Sequence, residues 1–404
     1  MTDSLLSSMD YPKAIRRLKL GFVGGGRGGQ VGAWHAAGAR LSNRWDVVAG
    51  ALSSDPANAQ ASGADWFLDP SRTYTDYADM ARREAARADG IDAAAICTPN
   101  HTHHDIASAF LKAGIDVICD KPLTTTIEDA QALVALQGKT GLVVGVTYAF
   151  AFHAMVRQAR HMVLSGQVGT VRQVHVEYMQ EGSCLELPAP SKTAAWRQDT
   201  HKVGRASAVS DIGTHAFHLA TYVTGQPITE LKASLHVCGP QRSLEDTAFM
   251  NIRLANGAPG TILVTQVAPG NYCALRIRVF GDKGGVEWDQ ERPEYLRVSF
   301  LNQPDQVIVR GKRGATLPSV ERMSHLPSGH GEALSNAWAN LYTEFAVAIA
   351  ARRAGDTLSD GLVEFPTALD GARGVKFIHA AVDSHDSGGA WTPCWLEAQS
   401  KDGG

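Results

Sequence analysis

The sequence predicts an α/β chain in two parts: an N-terminal doubly wound parallel sheet, then a C-terminal α+β domain with a large, mostly antiparallel open sheet. Three observations lead there. Between residues 18 and 145, strand-like and helix-like segments alternate, the pattern of a parallel sheet covered by helices. From residue 171 onward, strand-like segments follow one another without helices, which favours antiparallel pairing. The length, 404 residues, suits about two domains rather than one. The boundaries expected are an N-terminal extension over 1–17, the parallel domain over 18–145, the second domain over 146–385 and a tail over 386–404.

Within the first part, "LKLGFVGG", "WDVVAGAL", "IDAAAICTP", "IDVICDKP" and "TGLVVGVTY" read as five strands. "HHDIASAFLKAG" and "TIEDAQALVALQGKTG" read as helices, the second capped by Thr126 with Asp129 three residues on. In the second part "VRQVHVEYMQ", "ITELKASLHVC", "TAFMNIRLANG", "GTILVTQVA", "ALRIRVFGDKGGVEW" and "YLRVSFLN" are successive strands, several with period-two alternation. Asn256-Gly257 is one of the turn signals between them. Helices return at "NAWANLYTEFAVAIAARRAG" and "FPTALDGARGVKFIHAAVDS", and the tail, rich in Gly, Ser and Asp, reads as loosely held.

Composition narrows the functions. Hydrophobic residues at 44 % and charged residues at 20 % are ordinary for a globular protein, and a net charge of −3 gives no global attraction to nucleic acid or anionic membrane. No apolar run approaches the ~20 residues that span a bilayer. The six cysteines form no CxxC pair and the N-terminus lacks a secretory pattern, so a cytoplasmic location is expected.

The first strand runs into "GGGRGGQVGAWH", where Gly24, Gly26 and Gly29 fit G-x-G-x-x-G between a strand and a helix. One glycine makes the turn, one lets a pyrophosphate approach the backbone, and one lets helix and strand pack closely. This is the Rossmann dinucleotide pattern; the alternative is a glycine-rich turn without ligand. The second strand ends in Ser53 and Ser54, where an acid usually takes the ribose of NAD, and Asp55 follows. Serine does not repel a 2′-phosphate, yet no Arg stands beside it to attract one, so NAD and NADP both stay open.

Lys121 in "CDKPLT" closes the fourth strand, held extended by Pro122. An ammonium at a strand's carboxyl end can stabilise negative charge on a substrate oxygen, although a solvated loop lysine has the same local pattern. Thr98, Pro99 and Asn100 lie at the same rim. His101, His103 and His104 resemble a metal cluster, but neighbours at a helix start diverge, so capping and packing are expected and no metal is assigned. In "SDIGTHAFHLATYV", Asp211, His215 and His218 fall on one helical face. A catalytic pair, a metal site and a buried polar network are all compatible with that stripe.

Taken together, "GGGRGG", "TPNHTH", "DKP" and "DIGTHAFHL" resemble the Gfo/Idh/MocA family of sugar and polyol oxidoreductases over most of residues 18–385. Asp120 departs mildly from the family's Glu-Lys-Pro, and His218 stands where many members have Asp. The resemblance implies Asp211 and His215 facing the cofactor across a cleft from Lys121. His215 is then the general acid/base, Lys121 its electrostatic partner and Asp211 the substrate orienter. Expected cofactor contacts are Gly24, Gly26, Arg27, Gly28, Gly29, Ser53, Ser54, Thr98, Pro99, Asn100, His103, Asp120 and Lys121. Expected substrate contacts are Lys121, Tyr148, Trp196, Arg197, Asp211, His215 and His218. The activity implied is NAD(P)-dependent oxidation of a secondary hydroxyl of a sugar, glycoside or inositol-like polyol, in a homodimer or homotetramer. Three other readings remain: an enzyme that recycles tightly bound NAD, a non-catalytic dinucleotide sensor and a metal-dependent hydrolase.

Overall fold

The computed structural model describes residues 11, 16–185, 200–240, 242–312, 314 and 316–396. Five short apolar segments form the first sheet: β1 (Leu18–Gly24), β2 (Trp45–Ala51), β3 (Ala93–Cys97), β4 (Asp116–Cys119) and β5 (Val144–Val146). All pair in parallel, in the order β2-β1-β3-β4-β5. The strand order reverses between β1 and β3, so a crevice opens at their carboxyl ends, the usual ligand position in such sheets. The glycine turn and Thr98 flank it: a Cβ on Gly24 would meet the Cys97 carbonyl at 2.7 Å and Thr98 Cγ2 at 2.8 Å.

The second sheet holds β6 (Val171–Met179), β7 (Ile228–His236), β8 (Thr247–Leu254), β9 (Pro259–Thr265), β10 (Ala274–Gly281), β11 (Gly284–Asp289), β12 (Tyr295–Phe300), β13 (Gln306–Val309) and β14 (Thr392–Pro393). Its order is β13-β12-β11-β10-β6-β9-β8-β7-β14. Pairing is antiparallel except between the central strands β6 and β9, which run parallel. Strict alternation, as in β8 with Ala248, Met250 and Ile252 inward and Phe249, Asn251 and Arg253 outward, buries one face under helices. Two-residue β14 corrects the expectation of a loose tail for its described part, up to Leu396. The chain returns to pair with β7, and Cys394 beyond it is fully buried, its backbone N–H donating to Thr229.

Each of the two hydrophobic cores draws residues from both parts. Helix Leu334–Ala354 leaves the second part and packs on the helix Val31–Leu41 that follows the glycine turn. Small residues permit the approach: a Cβ on Gly38 would meet Trp338 Cβ at 2.7 Å. Trp45 Nε1 donates to the Tyr342 carbonyl at 2.9 Å. Helix Ala368–Asp386, with a Thr367/Asp370 capping box, lies against helix Ile127–Thr140 and β7. These two late helices fix the cleft by setting how the parallel sheet's rim meets the second part.

Candidate active site

Two strand ends supply the floor. Asp120 continues β4 by donating its N–H to Ile96, and Thr147 continues β5 by donating its N–H to Cys119. Thr147 Oγ1 donates to Asp120 Oδ1 at 2.8 Å, and His35 Nε2 lies 3.7 Å from the same oxygen. Burial alone would push the Asp120 carboxyl up. His35, Lys121 and Thr147 outweigh it and hold the group well below the usual carboxylate range, so a fixed negative charge sits beneath Lys121. His35 is in turn held by Tyr342 through a 2.8 Å contact at Nδ1 and by the Trp338 ring 4.5 Å away.

Lys121 precedes a cis proline and reaches across to the second part. Its ammonium donates to the Asp211 carbonyl at 2.6 Å and to Asp211 Oδ1 at 2.7 Å. Gln266, just past β9, donates to the other carboxylate oxygen at 3.0 Å. The stretch around Asp211 corrects the uniform helix read from spacing. Val209–Gly213 is a π turn, closed by Thr214 N–H on the Val209 carbonyl, and the α-helix runs only from Thr214 to Thr224. Such a turn inserts a residue and re-aims its neighbours. Glu245 fastens its start by accepting from the Ser207 and Val209 N–H groups, and burial pushes its carboxyl up to about 6.

His215 stands one turn beyond Asp211. Phe150 is edge-on to its ring at 4.8 Å, with Tyr148 at 5.8 Å and Tyr178 at 6.3 Å. Its Nδ1 is buried without a hydrogen-bond partner. Burial first, and the Lys121 charge second, push its pKa well below the ordinary histidine value, so the ring is neutral at pH 7. A neutral imidazole beside an ammonium and an oriented carboxylate can accept a proton from a hydroxyl whose oxygen gains negative charge.

Other expected site residues fall elsewhere. His218 lies flat on Tyr148 (centroids 4.5 Å apart, 9° between planes) and near-parallel to Tyr222 at 5.7 Å. It is 8 % exposed, and burial pushes its pKa down to about 4, so the ring packs in a stack rather than projecting beside His215. Tyr148, expected at a pocket rim, is buried, and a Cβ on Gly374 would come within 2.3 Å of its hydroxyl. His103, expected on the cofactor, is fully buried, with Nδ1 3.0 Å from the Pro122 carbonyl and Nε2 2.9 Å from the Thr98 carbonyl. It ties the lysine loop to the end of β3 and has no ring nitrogen left for a ligand. Trp196 and Arg197 lie outside the described residues. Among the described residues, no three His, Cys, Asp or Glu side chains converge as a metal site.

The remaining expected cofactor residues lie at the glycine turn and just past β2 and β3. Gly24 and Gly28 have φ of +79° and +86°, and a Cβ on Gly26 would meet Ser62 Oγ at 2.6 Å. Both Gly29 and Gly32 pack against the turn: a Cβ would meet Gly25 Cα at 3.1 Å and 2.4 Å, respectively. Helix Val31–Leu41 has no side-chain cap and no acid in its first turn, so its leading N–H groups suit a phosphate. Thr98 Oγ1 accepts from Thr102, Asn100 opens a short turn, and Ser53 and Ser54 follow β2. These features fit a dinucleotide.

His35, Thr147, Glu245 and Gln266 escaped the sequence reading. The one available signal was polar residues directly after apolar strands, as in "VGVT" and "ILVTQ".

Fold and site together define a two-part, dinucleotide-binding oxidoreductase. Comparison with known proteins places the chain more closely. Residues 18–148 match the oxidoreductase family with NAD-binding Rossmann fold, and residues 156–287 match the GFO/IDH/MocA C-terminal domain. The chain belongs to this family. It is 34 % identical over 386 residues to the uncharacterized oxidoreductase YfiI of Bacillus subtilis (strain 168), covering 93 % of this chain and 96 % of that protein. Among solved structures it is similar to an inositol dehydrogenase homolog complexed with NAD+ from Azotobacter vinelandii. Identity is 34 % and the TM-score 0.89, with 95 % of this chain and 99 % of that chain covered. A complex of the Azotobacter vinelandii inositol dehydrogenase homolog with NADH and myo-inositol matches at 34 % identity and TM-score 0.86, covering 94 % and 98 %. No helix among the described residues is long and apolar enough to cross a membrane.

Proposed function

We propose that this chain oxidises a secondary hydroxyl of a cyclic polyol or closely related sugar, with NAD+ as hydride acceptor. The observation that carries the reading is the convergence on Asp211 of the Lys121 ammonium from one part and of neutral, aromatic-walled His215 from the other. The neighbour crystallised with NADH and myo-inositol supports the choice of polyol.

When bound, NAD+ supplies the site that receives hydride from the alcohol carbon. The chain's own residues handle the proton and the charge. Lys121 donates a hydrogen bond to the reacting oxygen and favours its developing negative charge. His215 takes the hydroxyl proton, because its ring enters the cycle neutral. Asp211, held from both sides by Lys121 and Gln266, accepts a hydrogen bond from a neighbouring hydroxyl and fixes the ring's orientation. The Phe150 and Tyr178 rings beside His215 exclude water and suit the apolar face of a polyol ring.

The helix-free face of the second sheet carries exposed Phe249 and Phe280 beside Arg276, Arg278 and Glu177, and we propose that two copies meet there. Light scattering that gives a monomer mass at micromolar protein removes that part of the reading.

The activity is tested by mixing purified protein with NAD+ and a panel of inositols and sugars while following nicotinamide reduction at 340 nm. Reduction with at least one cyclic polyol is expected. Protein that binds NAD+ yet reduces it with no member of the panel refutes the reading.

A further inference from the structure

The edge of the crevice at β2 carries a feature that the polyol chemistry does not use. In dinucleotide-binding sheets, a carboxylate past the second strand takes the ribose 2′-hydroxyl, whereas a cation there takes a 2′-phosphate. Here β2 runs into Leu52, Ser53, Ser54 and Asp55. Asp55 is turned into its own helix, Oδ1 accepting from Asn58 N–H at 2.7 Å, while Ser53 Oγ accepts from Asp55 N–H at 3.2 Å. The position of the usual acid is therefore filled by hydroxyls.

The glycine turn, whose backbone is tied to the end of β2, carries a cation. Gly26 N–H donates to the Leu52 carbonyl at 3.2 Å, which ties the turn to the end of β2. The next residue, Arg27, is seated on helix Pro56–Asp65: its N–H donates to Ser62 Oγ at 2.9 Å and its carbonyl accepts from Asn58 Nδ2 at 3.3 Å. Its guanidinium makes a two-pronged pair with Asp65, Nε to Oδ2 at 2.6 Å and Nη2 to Oδ1 at 2.8 Å. Both side chains are about half exposed, at 58 % and 46 %. Exposed pairs of this kind are weak. A phosphate offers the same fork a stronger, doubly charged partner.

We propose that Arg27 is a receptor for the 2′-phosphate of NADP+, held in reserve by Asp65, and that the chain accepts NADP+ as well as NAD+ in a ratio set by Asp65. This inference rests on the dinucleotide reading above. Without a 2′-phosphate, Arg27 stays on Asp65 and Ser53 meets the ribose. With one, the guanidinium turns from the carboxylate to the phosphate.

The test is calorimetric titration of the full chain and its variants with NAD+, NADP+ and 2′,5′-ADP. Asp65→Asn is expected to tighten NADP+ and 2′,5′-ADP about three- to fivefold while NAD+ changes less than about twofold, since only an exposed competitor is removed. Arg27→Met is expected to weaken NADP+ roughly ten- to a hundredfold more than NAD+, the loss of a charged hydrogen bond. An unchanged NADP+ to NAD+ ratio in both variants overturns the proposal. A chain that binds NAD+ but neither phosphorylated ligand overturns it too, leaving the polyol reading intact. A chain that binds no dinucleotide overturns both.

Discussion

Lys121 and Asp211, 90 positions apart, are joined by two hydrogen bonds from one ammonium, to the aspartate's own carbonyl at 2.6 Å and to its carboxylate at 2.7 Å. The carbonyl is reachable because Asp211 lies in a π turn at the entry to its helix. The ammonium is thereby fixed over the cleft before substrate arrives. Lys121→Met should lower kcat/KM by roughly 10²–10³ with NAD+ affinity within a few-fold, since it removes charge stabilisation developed in the transition state. Steady-state kinetics with a calorimetric NAD+ titration checks this; an equal loss in NAD+ binding would make the lysine a cofactor ligand instead.

His215→Ala should slow turnover by about 10²–10⁴. In the unmutated protein the acid limb of kcat/KM should fall below the ordinary histidine range, because burial and Lys121 lower the pKa of the free ring. A limb at or above 6.5 is incompatible with His215 as the base buried in this way.

Gln266→Leu leaves Lys121 in place but removes the amide's hydrogen bond to Asp211 Oδ2. An orientation defect is expected, about three- to tenfold in kcat/KM, without change in the pH profile. A pH profile displaced by Gln266→Leu would show that the amide tunes a proton rather than a position.

Gly374→Ala places a methyl within 2.3 Å of the Tyr148 hydroxyl, in a stack that continues through His218 to Tyr222. Overpacking of this sort costs about 1–3 kcal/mol. A thermal shift of several degrees downward is expected, and restoration of the melting temperature by Tyr148→Phe in the Gly374→Ala background would locate the clash.

Acid should destabilise the fold before the carboxylates titrate. Burial holds His153 down to about 3 and His218 to about 4, and lowers His215 as well. Each is neutral when folded and binds a proton near pH 6.5 when unfolded, so each costs up to about 1.4 kcal/mol per pH unit below 6.5. Glu245, raised to about 6, acts oppositely between 4.5 and 6. Melting temperatures taken from pH 7.5 to 4.5 should therefore fall steadily below 6.5; a flat profile contradicts the buried neutral rings.

The sequence by itself determined what is local. A strand, a glycine turn and a helix lie within a few residues of one another, as do Lys121 with its proline and Asp211 with His215, so chain geometry alone limits where they can go. Even there, the π turn escaped notice, because a one-residue insertion leaves the spacing of side-chain types unchanged. Tertiary structure decided which neighbours those groups meet. His35 reaches Asp120 through 85 positions of chain and Tyr342 through 307, and Gln266 reaches Asp211 through 55. It also turned His218 and Tyr148 into a packed stack and occupied both nitrogens of His103. Periodicity reports which face of a helix is apolar, not what lies against it. Burial, and with it the protonation of His218, follows from the packing of segments that the sequence keeps far apart.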